Sequence, residues 1–174
     1  MVKFEPAYVV IDIETSGLSP VKGHRIIEIG AIAIENDRLT RQFHSLVDPG
    51  MKMPDDAVKI HGITDDMLIG QPNPCDTYPL FKKFIGNAVL VAHNAAFDLI
   101  FLRSEMSRLG ISLNNRSICT LKLSRRLFPA LRSYRLETVA RHVLSNSKKI
   151  VARHRALDDA KLTAMMWLEM IKNG

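Results

Sequence analysis

The sequence is short of what usually holds small secreted or membrane-bound chains together. Its only cysteines are Cys75 and Cys119. They form no metal-ligand spacing, and both are expected to be reduced thiols. No secretory signal is visible and the longest apolar runs are of strand length, so a soluble, cytoplasmic protein with no membrane partner is expected. Internal repeats and low-complexity tracts are also missing. Acids are scarce in one half: between Arg103 and Arg155 only Glu105 and Glu137 oppose 13 Lys or Arg, a local charge of +11 in a chain whose total is +6. The remaining residues therefore sum to −5. A basic half beside acidic segments suits a polyanionic partner drawn in electrostatically, although a solvated helix surface can be equally basic.

What is present suits one domain spanning residues 1–174, with 47% hydrophobic residues to build a core. The run AYVVIDI from Ala7 to Ile13 is rich in β-branched residues and too short for a typical helix, which marks a buried strand. Side chains alternate along a strand, so Asp12 and Glu14 leave the same face at its carboxyl end while Ile11 and Ile13 point the other way. Two adjacent carboxylates repel, and burying either alone costs on the order of several kcal/mol or forces its protonation. A hard cation removes the conflict, and an all-oxygen donor set suits Mg²⁺ or Mn²⁺ better than zinc. The pair can equally begin a solvated loop, with Thr15, Ser16 and Gly17 as its turn.

Further along, AVLVA from Ala88 to Ala92 reads as a second buried strand. His93 and Asn94 then introduce a helix through FDLIFLRSEMSRLG, with Asn94 as N-cap and Gly110 after the end. Asp98 falls in the first turn, where the helix dipole favours an acid by about 0.3–1 kcal/mol whatever its function. The last segment, HRALDDA, places His154 five residues before Asp159. Leu157, Ala160, Ala164, Leu168 and Ile171 are spaced as the inner face of a final helix. His154 lies on the loop before it, and an imidazole is a natural general base at neutral pH. Spacing alone does not choose between Asp158 and Asp159.

Two more strands, RIIEIGAIAIEND and RLTRQFHSLVD, are joined by a hairpin turn over residues 35–38. Helices are expected over residues 76–85, 117–127 and 135–144, with loops over 49–54 and 70–74. The pattern implies an α/β fold with a mixed sheet flanked by helices. Lys148, Lys149, Arg153 and Arg155 flank His154 and are candidates for phosphate contacts. His24, His44, His93 and His142 form no evident cluster.

Together with GHRIIEIGAIAI, LVDPG, IHGIT, TLKLSRRLFP and SYRLETVA, the three acidic segments resemble, in order and spacing, the exonucleases that carry an Asp-Glu-Asp-Asp carboxylate set and a histidine in the last motif. The likeness is strongest to the proofreading subunits and domains of bacterial replicative DNA polymerases, and it covers nearly the whole chain. It implies a ribonuclease-H-like fold with a central five-stranded sheet. It also implies Asp12, Glu14, Asp98 and Asp159 as ligands of two Mg²⁺ or Mn²⁺ ions, with Asp12 bridging and Asp98 acting largely through water. His154 would be the base, and Asp159 is favoured over Asp158 because the family places four residues between its histidine and last aspartate.

Thr15, Gly17 and Leu18 follow the first acidic pair, where glycine lets backbone approach a ligand and leucine can wedge against a base. His61, Asn94 and Phe97 resemble positions lining the same nucleotide pocket. One departure, Cys119 where relatives often carry aspartate, touches none of the catalytic positions.

The implied reaction is hydrolysis at a single-stranded or frayed 3′ end of DNA, releasing 5′-nucleotides in proofreading or repair, with a DNA polymerase as a partner. Two other readings stay open: an RNA exonuclease of the same superfamily, and a non-catalytic binding module on a nuclease fold.

Overall fold

The computed structural model describes residues 7–144 and 154–172. Its first strand, β1 (Tyr8–Thr15), is followed by a 3-10 turn at Pro20–Lys22, then β2 (Ile26–Glu35) and β3 (Arg38–Leu46). Asn36 and Asp37 join β2 to β3 with φ of 51° and 57°, the left-handed pair that a two-residue hairpin requires. Helices α1 (Asp55–His61), α2 (Asp65–Leu68) and α3 (Pro74–Ile85) lead to β4 (Val89–Ala92) and α4 (Ala95–Ser107). After β5 (Ser117–Cys119) come α5 (Thr120–Leu127), α6 (Leu136–Val143) and α7 (Ala156–Lys172).

The five strands form one sheet in the order β3-β2-β1-β4-β5. β1 pairs antiparallel with β2 and β2 with β3, whereas β1 with β4 and β4 with β5 are parallel. The sheet is therefore mixed, as expected of a ribonuclease-H-like architecture. Alternation along β1 divides the core. Val9, Ile11 and Ile13 pack with Tyr78 and Phe81 of α3 and with Leu99, Phe101 and Leu102 of α4. Val10 faces the other way, against Ile32, Val91 and the α7 residues Ala160, Ala164, Trp167 and Leu168. Asp12 and Glu14 share the parity of Val10, so their side chains leave the α7 face of the sheet.

Two expectations are corrected, and the cap of α4 stands where it was expected. Residues 117–119 are not the start of a helix: Ser117, Ile118 and Cys119 pair with Leu90, Val91 and Ala92 to form the edge strand β5, and the helix begins at Thr120. Ile171, placed on the inner face of the last helix, is 38% exposed. Asn94 occupies the N-cap position of α4 but makes no side-chain cap hydrogen bond; its backbone is left-handed, with φ of 75°, a conformation that asparagine tolerates better than most residues. Among the described residues no helix is long and apolar enough to cross a membrane.

Candidate active site

Three of the sequence-predicted carboxylates meet at one place. Asp12, Glu14 and Asp159 offer oxygen atoms that all lie within 4.8 Å of one another. Asp12 and Glu14 arrive on alternate residues of β1, and Asp159 comes from the first turn of α7, buried against the same sheet face. Asp158, one residue earlier, is exposed. The helix phase thus turns Asp159 inward and Asp158 to solvent.

Asp98, in the first turn of α4, is 4% exposed. It stands outside the tight triad but close enough for its charge to act on Asp12. Hydrogen bonds from its own N–H and from the Ile13 N–H orient its carboxylate.

The cost of this arrangement shows in the protonation equilibria. Burial, followed by the charges of Asp98, Glu14, Asp159 and Glu28, pushes Asp12 well above the usual carboxylate range. Burial and the charges of Glu28, Asp159 and Asp98 push Glu14 up to about 8. Burial likewise raises Asp98 to about 7, against the two backbone hydrogen bonds that favour its charged form. A cluster of oxygen donors whose charged forms are this unfavourable fits a hard divalent cation, which removes the repulsion.

A further carboxylate was not anticipated. Glu28 of β2 stands directly opposite Glu14 in the ladder and is 0% exposed. Arg155 donates to it from Nε (3.0 and 3.1 Å) and from Nη2 (2.7 Å), the Ala156 N–H donates at 3.0 Å, and His44 Nε2 lies at 2.7 Å. Burial pushes the Glu28 carboxyl up, but these hydrogen bonds outweigh it and hold the group below its ordinary value. The signal in the sequence was a lone charge within the apolar run IIEIGAIAI, which a buried strand tolerates only with a partner. The guanidinium of Arg155, a candidate phosphate contact, is engaged by this pair. Lys148, Lys149 and Arg153 lie outside the described residues.

His154 is exposed, immediately before α7, with φ of 49°. Glu14 also lines a cavity of about 510 Å³, together with Thr15, Gly17, Leu18, His61 and Phe97 among others. Five of the six residues expected to hold a nucleotide therefore line one cavity. Asn94 is not among its lining residues.

Leu18 is 81% exposed at the rim. His61 is buried, and its Nδ1 accepts the Ile63 N–H at 3.0 Å. Nε2 is then the protonated nitrogen of the neutral ring, and burial lowers the pKa of that ring. Gly17 is tightly packed: a Cβ there would lie 2.5–2.7 Å from ring atoms of His24. His24 itself lines the cavity and accepts the Ser19 N–H through Nδ1 at 3.1 Å. Its place beside the cavity was missed because the sequence offered no cluster around it.

The exonuclease model of the RNase T type matches residues 9–166. The chain belongs to this exonuclease family. Membership agrees with the Asp-Glu-Asp-Asp and histidine motifs. Over 161 residues the chain is 41% identical to a PolC-type DNA polymerase III of Clostridium perfringens, covering 92% of this chain and 11% of that polymerase. Over 166 residues it is 35% identical to the DNA polymerase III subunit epsilon of Aquifex aeolicus, covering 95% of this chain and 80% of that subunit. Among solved structures it is similar to exonuclease X in complex with 5′ overhanging duplex DNA, with a TM-score of 0.78 and 28% identity over 96% of this chain and 92% of that one. The chain thus spans 11–12% of the length of the PolC-type polymerases it matches.

Proposed function

We propose that the protein is a metal-dependent 3′–5′ exonuclease that hydrolyses phosphodiester bonds at the 3′ end of DNA and releases 5′-nucleotides, in proofreading or repair. The observation that carries this reading is the convergence of Asp12, Glu14 and Asp159 beside a cavity lined by Glu14, Leu18, His61 and Phe97. An acidic cluster alone would be a cation site, and an apolar cavity alone would be a ligand pocket. Side by side they suit a nucleotide whose scissile phosphate lies at the carboxylates and whose base lies in the cavity.

Asp12, Glu14, Asp159 and Asp98 would hold two Mg²⁺ or Mn²⁺ ions, whose donor preferences match an all-carboxylate set. Bound there, the ions supply Lewis acidity toward water and phosphate. The chain's own residues do the rest. His154, on the surface at the threshold of α7, accepts a proton from the attacking water. Leu18 packs against the terminal base at the rim, and Phe97 and His61 wall the cavity. The epsilon subunit and the PolC-type enzymes are DNA polymerase III components by name, and a polymerase is the partner that this reading assigns.

The test is degradation of single-stranded DNA labelled at its 3′ or 5′ end, with Mg²⁺, Mn²⁺ or chelator, beside Asp12→Ala. Metal-dependent shortening from the 3′ end that vanishes in the variant is expected. Tight DNA binding with no cleavage under any metal would overturn the reading in favour of a binding module. Competition between matched DNA and RNA strands reads the sugar preference, and strong preference for RNA would overturn the proofreading assignment.

A further inference from the structure

Glu28 faces Glu14 across the β1–β2 ladder, and its position invites the view that it is one more metal ligand. Its hydrogen bonds argue otherwise. Oε1 receives Arg155 Nε, Arg155 Nη2 and His44 Nε2, and Oε2 receives Arg155 Nε and the Ala156 N–H. A carboxylate offers about four lone-pair directions, and these are already occupied. Glu28 has no free oxygen with which to bind a cation.

Its partners lie where the catalytic elements begin. Arg155 follows His154 directly, and Ala156 is the first residue of α7. The Arg155 carbonyl accepts the Asp159 N–H at 3.0 Å, the first backbone hydrogen bond of that helix. A path of consecutive bonds therefore runs from the floor of the sheet, through Glu28, to the residue that anchors Asp159. The Ala156 N–H, one of the donors that a helix start leaves without an internal acceptor, is satisfied by a carboxylate at the positive end of the helix dipole.

Gly30 supplies a second, independent observation. A Cβ there would lie 2.3 Å from the Ala156 carbonyl and from Leu157 N. The start of α7 is thus seated on β2 at two successive same-face positions, Glu28 and Gly30.

We infer that Glu28 and Arg155 form a positioning pair that fixes the start of α7, and with it Asp159 and His154, against the β1 carboxylates. The inference rests on the exonuclease reading of the site. The long separation of the partners in sequence makes the pair the tie by which the last motif is registered on the first. Hydrogen-bond partners that orient ligands without touching the metal are commonly worth about 10–100-fold in metal affinity or activity.

Glu28→Gln and Arg155→Lys are to be compared with wild type by steady-state kinetics on single-stranded DNA, by Mn²⁺ titration without DNA, and by thermal melting. Lysine keeps the charge but not the two-pronged geometry. Both variants are expected to fold, to lose about 10–100-fold in kcat and in Mn²⁺ affinity, and to keep KM for DNA within about threefold of wild type. If Glu28→Gln does not fold, Arg155→Lys carries the test. Folded variants with kcat and Mn²⁺ affinity within about twofold of wild type overturn the inference. So does loss of stability and KM with Mn²⁺ affinity unchanged. A wild-type chain that cleaves no DNA would overturn the exonuclease reading instead, and the Mn²⁺ titration would still report on the pair.

Discussion

Gly30 lies opposite Asp12 in the β1–β2 register and directly beneath the Ala156 backbone. The absence of a side chain at this one position lets a helix end settle onto the sheet beside a carboxylate. A methyl group placed 2.3 Å from backbone atoms has no flexible neighbour to displace. Overpacking of this kind costs about 1–3 kcal/mol. Gly30→Ala is expected to lower stability by that amount in denaturant unfolding and to depress nuclease activity more than the stability loss explains. A variant as active as wild type would show that α7 moves freely without harm.

The orientation of the first turn of α7 separates two neighbouring acids. Asp159 is buried and converges on Asp12 and Glu14, whereas Asp158 is exposed. Asp159→Asn is expected to reduce kcat by two or more orders of magnitude, by roughly the effect of losing a ligand at a metal-assisted site. Asp158→Asn should stay within about twofold, since surface changes away from such sites rarely matter. Equal losses in the two variants would overturn the assignment.

Much of this was legible in the chain because the signals were local. The alternation of VVIDIE placed Asp12 and Glu14 on one face, and ENDR announced the hairpin that the structure builds at Asn36 and Asp37. What could not be read depended on distant partners. Ser117–Cys119 continues into an amphipathic helix and has no strand signal of its own; it becomes β5 only because β4 offers it a parallel partner. Helices α1 and α2 are too short for periodicity to declare them. Arg155 looked like a free cation among others, and its partner lies 127 residues earlier in the chain. Asn94 has a backbone that sequence alone did not announce: it is exposed at the start of α4 in a left-handed conformation.

Leu18 offers a test of the cavity that stability does not confound. It is 81% exposed, so trimming it removes almost no buried surface from the folded chain. Contact with a nucleotide base would be lost instead, and fully burying a leucine side chain is worth about 1.5–3 kcal/mol. Leu18→Ala is expected to raise KM for single-stranded DNA by roughly 10–150-fold on that basis, with an unchanged melting temperature. An unaltered KM would remove Leu18 from the substrate site.

Metal removal should expose the strain among the carboxylates. Glu14 and Asp98 are raised in the folded chain to about 8 and about 7, first by burial. Between the ordinary carboxylate range and these values the folded state binds more protons than the unfolded state. Stability therefore falls as pH rises through this window. In chelator, the melting temperature is expected to drop between about pH 5 and about pH 8. One kcal/mol corresponds to about 2–4 °C in a domain of this size, so a fall of roughly 5 °C or more is readily measured. A dication binds the deprotonated ligands, and its affinity grows with pH. At about 100 times its Kd it adds roughly 2.7 kcal/mol. With saturating Mn²⁺ the slope should flatten or reverse, and Asp12→Asn, which removes one charge from the cluster, should weaken the pH dependence in chelator. Parallel melting profiles with and without metal across this range would mean that the cluster binds no cation.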